Sequence, residues 1–115
     1  MKDDEHWRGV IERFRVVFWR DPEALTAMEA LVERLRGPGS DDIGLPWVSV
    51  GWLNYRVPER DGCVFVSFAG DGNYKVTIMR GPSLDTVYSR VTNLASVKVE
   101  IAHALTEAKL MLPAQ

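Results

Sequence analysis

The hydrophobic period of the chain changes twice, and this pattern restricts the fold more than any other feature. Before residue 37, apolar side chains recur at spacings of three and four, which is typical of one buried helix face. Between Trp47 and Thr92, β-branched and aromatic residues alternate with polar ones, which indicates strands. The helical period then returns. The pattern predicts an α+β fold with an N-terminal helical hairpin, an antiparallel four-stranded sheet (three to five strands) and a C-terminal helix, in the order ααββββα.

The chain length favours a single domain over residues 1–115. With 115 residues the chain is long enough for one hydrophobic core, but neither the helical nor the alternating half is long enough to fold comfortably alone. The turn-rich stretch at residues 37–46 is therefore interpreted as a loop and not as a domain boundary.

Start and stop signals delimit the helices. Asp21 can cap a second helix in which Pro22 takes the first position, and the glycines and proline at 37–39 end it. The C-terminal helix is expected over residues 94–112, with Asn93 as its candidate cap.

The strands are separated by short turns. The expected strands are residues 47–57, 63–69, 74–80 and 85–92. The dipeptide Asp71-Gly72 is a strong signal for a two-residue hairpin loop.

That loop length predicts which side chains share a face of the sheet. The expected core face holds the pairs Ala69 with Tyr74, Ser67 with Val76, and Phe65 with Ile78. The second face would hold Val64, Val66 and Phe68 opposite Met79, Thr77 and Lys75. Because the second face is half apolar, it should be covered as well, by a helix of the same chain in preference to another chain.

Charge and cysteine content narrow the classes of function. Lys plus Arg number 14 and Asp plus Glu 16, so the net charge of −2 supports neither a nucleic-acid partner nor a membrane surface. The single cysteine cannot form an intramolecular disulfide. The polar N-terminal segment lacks the form of a signal peptide, so a cytoplasmic location is expected.

Candidate catalytic groups are few. His103 lies three residues after Glu100 and four before Glu107, a spacing that usually marks an exposed, ion-paired helix surface. His6 lies in the first helical turn, and Cys63 has no nucleophile signature around it. We therefore predict no catalytic residue, no metal ligand and no cofactor, and enzymatic function is the less favoured interpretation.

Aromatic residues concentrate in the strands, and Trp and Tyr are enriched in binding hot spots. Strict alternation places Trp47 and Tyr55 on one face and Trp52 on the other, unless Gly51 introduces a bulge. The predicted partner-binding residues are Trp47, Trp52, Tyr55, Tyr88 and Arg90.

In size, acidic balance and predicted architecture, the chain resembles small bacterial immunity proteins, phage-encoded inhibitors and secretion-chaperone-like domains. This resemblance is one of size and fold alone. The aromatic-rich strands, together with the lack of a credible catalytic set, favour a non-catalytic module that binds another protein and occludes its surface. Two alternatives stay open. One is a homodimer that buries Val64, Val66, Phe68 and Met79 against a second copy. The other is a small-molecule-binding or enzymatic domain with a pocket between sheet and helices, where His103, Glu100, Glu107 and Cys63 would supply the chemistry.

Overall fold

The computed structural model describes residues 2–37, 43–83 and 85–115. The elements run in the order α1 (Lys2–Val17), α2 (Pro22–Leu35), β1 (Trp47–Ser49), β2 (Trp52–Arg56), β3 (Gly62–Gly70), β4 (Asn73–Arg80), β5 (Asp85–Asn93) and α3 (Val97–Met111). This order confirms the predicted α+β class, with a five-stranded sheet. Residues 38–42 of the predicted 37–46 loop lie outside the described residues.

The N-terminal helical hairpin forms as the capping signals predict. Three acidic residues lie in the first turn of α1, where negative charge suits the helix dipole. At the start of α2, Asp21 Oδ1 accepts a hydrogen bond of 3.1 Å from the backbone N–H of Ala24, and Pro22 occupies the first position. The buried stripes of the two helices face the sheet.

The five strands form one antiparallel sheet in the order β1-β2-β3-β4-β5. The single strand predicted over residues 47–57 is instead the β1–β2 hairpin, in which Ser49 lies opposite Trp52. Its turn contains Val50, whose positive φ of 58° is unusual for a β-branched residue. The hairpin adds the fifth strand, within the predicted range.

The predicted register of the β3–β4 hairpin is wrong by one residue. The loop is the expected Asp71-Gly72, with positive φ at both positions, but the register shifts between Phe68 and Gly70, which leaves Ala69 as an extra residue. The observed pairs are Phe68 with Tyr74, Val66 with Val76, and Val64 with Ile78. Because side chains alternate along a strand, the shift transfers Val64, Val66 and Phe68 to the core face and Phe65 to the opposite one.

All three helices pack on this core face. The buried cluster contains side chains from each helix together with Leu53, Tyr55, Val64, Val66 and Ile78. Val64 and Val66 are 0% exposed, so the dimer face predicted from the sequence is already covered by the helices of the same chain.

The C-terminal helix starts later than expected. Asn93 ends β5, and its Oδ1 accepts a 3.0 Å hydrogen bond from the backbone N–H of Ser96, which precedes the helix. The predicted cap therefore orders the turn before α3, and the helix begins at Val97. Among the described helices, none combines the length and the hydropathy that a bilayer-spanning segment requires.

Candidate functional site

The face of the sheet that the helices leave uncovered is the candidate site, and we call it the outer face. The strand register and the alternation of side chains define its members. They are Trp47, Ser49, Trp52, Asn54, Arg56, Cys63, Phe65, Ser67, Asn73, Lys75, Thr77, Met79, Thr86, Ser89, Val91 and Asn93.

An aromatic pair lies at the centre of the outer face. The ring of Trp52 on β2 meets the ring of Phe65 on β3 at an angle of 64°, with the ring centroids 5.1 Å apart. Phe65 is only 6% exposed, whereas Trp52 is 39% exposed. Trp52 therefore shields Phe65 from water and presents its own remaining surface to solvent.

The second tryptophan lies at the edge of the sheet. Trp47 on β1 is 45% exposed and borders a groove with His6, Val10 and Arg13 of α1. The imidazole Nε2 of His6 is hydrogen-bonded to the carbonyl oxygen of Pro46, which ties α1 to the entry of β1. Trp47 thus extends the aromatic surface from the outer face towards the helical layer.

The charged groups of the outer face have one sign. Within the described strands, the register places two charged side chains on this face, Arg56 and Lys75, and both are exposed and basic. Lys75 borders a shallow hollow of about 100 Å³, whose walls include Trp52, Phe65 and Thr77. The centre is therefore apolar and aromatic, and the charges around it are positive, although the whole chain carries −2.

Asn54 and Cys63 form the polar part of the outer face. Burial raises the pKa of the Cys63 thiol, and a hydrogen bond from the Asn54 side chain acts in the opposite direction and lowers it. The Oδ1 atom of Asn54 is buried and has no hydrogen-bond partner. A thiol with a raised pKa is a weak nucleophile at neutral pH, so Cys63 here is better suited to packing than to catalysis.

The structure brings together only part of the predicted binding cluster. Trp47 and Trp52 share the outer face, because the chain reverses at residues 50–51 between them. Tyr55 is 1% exposed in the core, so it supports the fold instead of contacting a partner. Tyr88 and Arg90 lie on β5 on the helix-covered side, where Arg90 is 3.6 Å from Glu100 of α3.

The residues considered as candidate catalytic groups also do not come together in one site. His103 lies 3.9 Å from Glu107 on the exposed side of α3. Glu100 pairs with Arg90, and Cys63 lies on the opposite face of the sheet from α3. In the described part of the chain, no group of three or more His, Cys, Asp or Glu residues could hold a metal ion.

An apolar surface at one end of the molecule was not identified from the sequence. The α1–α2 joint and the β1–β2 turn meet there, around a groove of about 300 Å³ that includes Val17, Phe18, Val50 and Trp52. Val50 is 80% exposed, and Gly51 packs so closely on Phe18 that an added Cβ would lie 2.7 Å from the ring. The break in alternation at Gly51 was the one available signal, and it marks a turn.

A second groove lies between α2 and the β3–β4 hairpin. It has a volume of about 550 Å³ and is bordered by Ala27, Ala30, Phe68, Tyr74 and Leu94, among others. The Tyr74 hydroxyl donates a 2.6 Å hydrogen bond to the carbonyl oxygen of Ala27, so this polar group is already satisfied.

Comparison of the chain with protein-family models, with curated proteins and with solved structures found no match.

Proposed function

We propose that this protein is a non-catalytic binding module that occludes the surface of a partner protein with the outer face of its sheet. The main observation that supports this proposal is the Trp52–Phe65 pair, which lies on a face that no described helix covers. Large exposed aromatic side chains over a rigid base are the residues that dominate binding energy in protein interfaces.

The rigidity of the outer face supports this function. Phe65 and Thr77 lie opposite each other on β3 and β4 and are 6% and 7% exposed. They form a closely packed base, and Trp52 is held against it by the edge-to-face contact. A side chain that is already ordered loses little conformational entropy on binding, which favours affinity.

The charge of the outer face indicates the kind of protein surface that it fits. Arg56 and Lys75 flank the aromatic centre, and the acidic side chains of the described residues lie elsewhere, on the helices, in the turns and at the start of β5. A partner with an apolar centre and an acidic rim would be electrostatically complementary. Binding should therefore weaken as ionic strength rises, because rim charges are screened by salt.

Alanine substitutions test this proposal. Trp52→Ala and Trp47→Ala, each checked for folding by circular dichroism, should weaken capture of the partner from the native source by at least about tenfold, as expected for hot-spot residues. Trp19→Ala is the matched control, because Trp19 is 68% exposed but belongs to the α1–α2 joint and not to the outer face. Equal capture by all three variants would refute the proposal.

The groove between α2 and the β3–β4 hairpin favours a second candidate function, the binding of an apolar small molecule. Its volume of about 550 Å³ lies in the range of ligand sites. In that case Ala30→Trp, which would fill the groove, should abolish binding of an apolar fluorescent probe, while Trp52→Ala should leave it unchanged. The reverse result would assign the probe to the outer face.

A further inference from the structure

Among the residues that the structure describes, none pairs with the outer edge of strand β5. It is the last strand in the sheet order, it spans nine residues (Asp85–Asn93), and it pairs with β4 on its other side. The opposite edge of the sheet, β1, has only three residues. A long free edge presents backbone N–H and C=O groups that fit an extended strand.

The sequence of β5 is close to a palindrome centred on Ser89. If two copies of the strand run antiparallel with Ser89 opposite Ser89, each flanking residue lies opposite an identical or a chemically compatible residue of the other copy. The pairs next to the centre are Tyr88 with Arg90 and Val87 with Val91. The pairing ends there, because the register shift at Val87 puts Thr86 on the outer face and Thr92 on the helix-covered face.

These pairs suit a sheet. Pairs of β-branched residues such as Val87 with Val91 stabilise adjacent antiparallel strands. Arg90 is the charged residue within the paired stretch, and it lies opposite an aromatic ring instead of a like charge. Arg90 already lies over the Tyr88 ring of its own chain, with its guanidinium carbon 5.6 Å from the centroid.

Two features of β5 restrict which strands can pair with its free edge. The register shift between Ile78 and Met79 leaves Val87 as a bulge residue, and Arg90 points towards the helical layer, where it pairs with Glu100. Bulges and inward-pointing charges discourage pairing with arbitrary strands. A strand that places an aromatic residue opposite Arg90 and a β-branched residue opposite the bulge fits this edge, and β5 itself is such a strand.

We propose that a second copy of this chain pairs with β5, antiparallel and centred on Ser89, so that two sheets form one continuous sheet of ten strands. A two-fold axis perpendicular to the sheet relates antiparallel strands of this kind. Both helical layers then lie on one side, and the two outer faces form one surface on the other. This inference does not depend on the function proposed above, because it uses the edge of the sheet and not its outer face.

Cysteine cross-linking tests the proposed register. In a Cys63→Ser background, Ser89→Cys would place the two Cα atoms about 4.5–5.5 Å apart, within the range of a disulfide. Val91→Cys is the control, because the two-fold axis offsets the two Val91 residues by four positions, about 13 Å along the strands. The Ser89→Cys protein should oxidise to a covalent dimer, and the Val91→Cys protein should stay monomeric under the same conditions.

Light scattering supplies the second readout, on the unmodified chain. The mass should rise with concentration from 13.0 kDa towards twice that value. The proposal is overturned if the protein stays at 13.0 kDa at every concentration. It is equally overturned if Val91→Cys cross-links as readily as Ser89→Cys, because the copies would then meet in another register or on another face.

Discussion

Trp52 covers Phe65 across neighbouring strands, with the two ring centroids 5.1 Å apart on a face of the sheet that the helices leave open. Phe65 is consequently 6% exposed although none of the described helices packs over it. The same indole thus stabilises the sheet and presents apolar surface to solvent, so stability and binding can be tested on one residue.

Removal of the Trp52 ring should lower the free energy of unfolding. Trp52→Ala loses the aromatic pair and exposes Phe65, a combined cost of about 2 kcal/mol. Urea denaturation followed by far-ultraviolet circular dichroism measures the change. Trp19→Ala should change the free energy of unfolding by only about 0.5 kcal/mol, because Trp19 is 68% exposed. Equal losses in the two variants would show that Trp52 does not shield Phe65.

Two buried tyrosines should respond in opposite directions to loss of the hydroxyl. The Tyr55 hydroxyl is buried without a partner, so Tyr55→Phe should raise the free energy of unfolding by about 1 kcal/mol. The Tyr74 hydroxyl bonds to the Ala27 carbonyl at 2.6 Å, so Tyr74→Phe should lower it by about 1 kcal/mol. The same urea experiment measures both changes. The same sign for both variants would contradict an unpartnered hydroxyl at Tyr55 and a hydrogen-bonded one at Tyr74.

The stability of the protein should fall in alkaline solution. Burial raises the pKa of Tyr55 well above the value of 10.0 that it has when exposed, and it also raises the pKa of Tyr74. Above about pH 10 the unfolded chain loses these protons while the folded chain keeps them, so the free energy of unfolding decreases as pH rises from there towards the folded pKa values. The loss should be absent below that pH.

The Tyr55→Phe variant isolates the contribution of Tyr55 to the loss of stability in alkaline solution. The variant should lose less stability between pH 9 and 11 than the unmodified chain, measured by urea denaturation at each pH. An unchanged pH dependence would mean that Tyr55 does not titrate on unfolding in this range.

Adding a methyl group at two different glycines should change the stability of the protein in opposite directions. At Gly62, φ is +156°, and a Cβ would lie 2.3 Å from the carbonyl oxygen of Met79, so Gly62→Ala should cost about 3 kcal/mol. At Gly9, inside α1, nothing lies within 4 Å, so Gly9→Ala should stabilise by about 1 kcal/mol. Thermal unfolding should therefore show a lower midpoint for the first variant and a higher one for the second.

The sequence predicts the elements of this fold well because each element carries a local signal. Asp21 and Pro22 mark the start of α2, and Asp71-Gly72 marks the loop of the β3–β4 hairpin. The face of the sheet depends on register, and the extra residue Ala69 changed it, because nothing in the local composition distinguishes a bulge from regular strand. The assignment of Phe65 to the helix-covered face of the sheet was wrong for this reason alone, although the side chain is buried.

The candidate site was only partly predictable. Trp47 and Trp52 stood out as aromatic residues in strands, and their shared face follows from the turn at residues 50–51, which alternation alone does not reveal. Tyr55 is also an aromatic residue in a predicted strand, but it lies in the core. Its residue type alone does not specify which side of the sheet it occupies. Arg90 and Glu100 come together through the packing of α3 on β5, a long-range contact without a sequence motif.

Site-specific photo-cross-linking tests the central claim, that the outer face is the binding surface, most directly. A photoreactive phenylalanine analogue would replace Trp52 on the outer face, and in a matched variant it would replace Val99, which is 71% exposed on α3. In the native source, irradiation should link the position-52 variant to one protein and leave the position-99 variant unlinked. Cross-links at position 99 without any at position 52 would contradict the claim and assign binding to the helical layer.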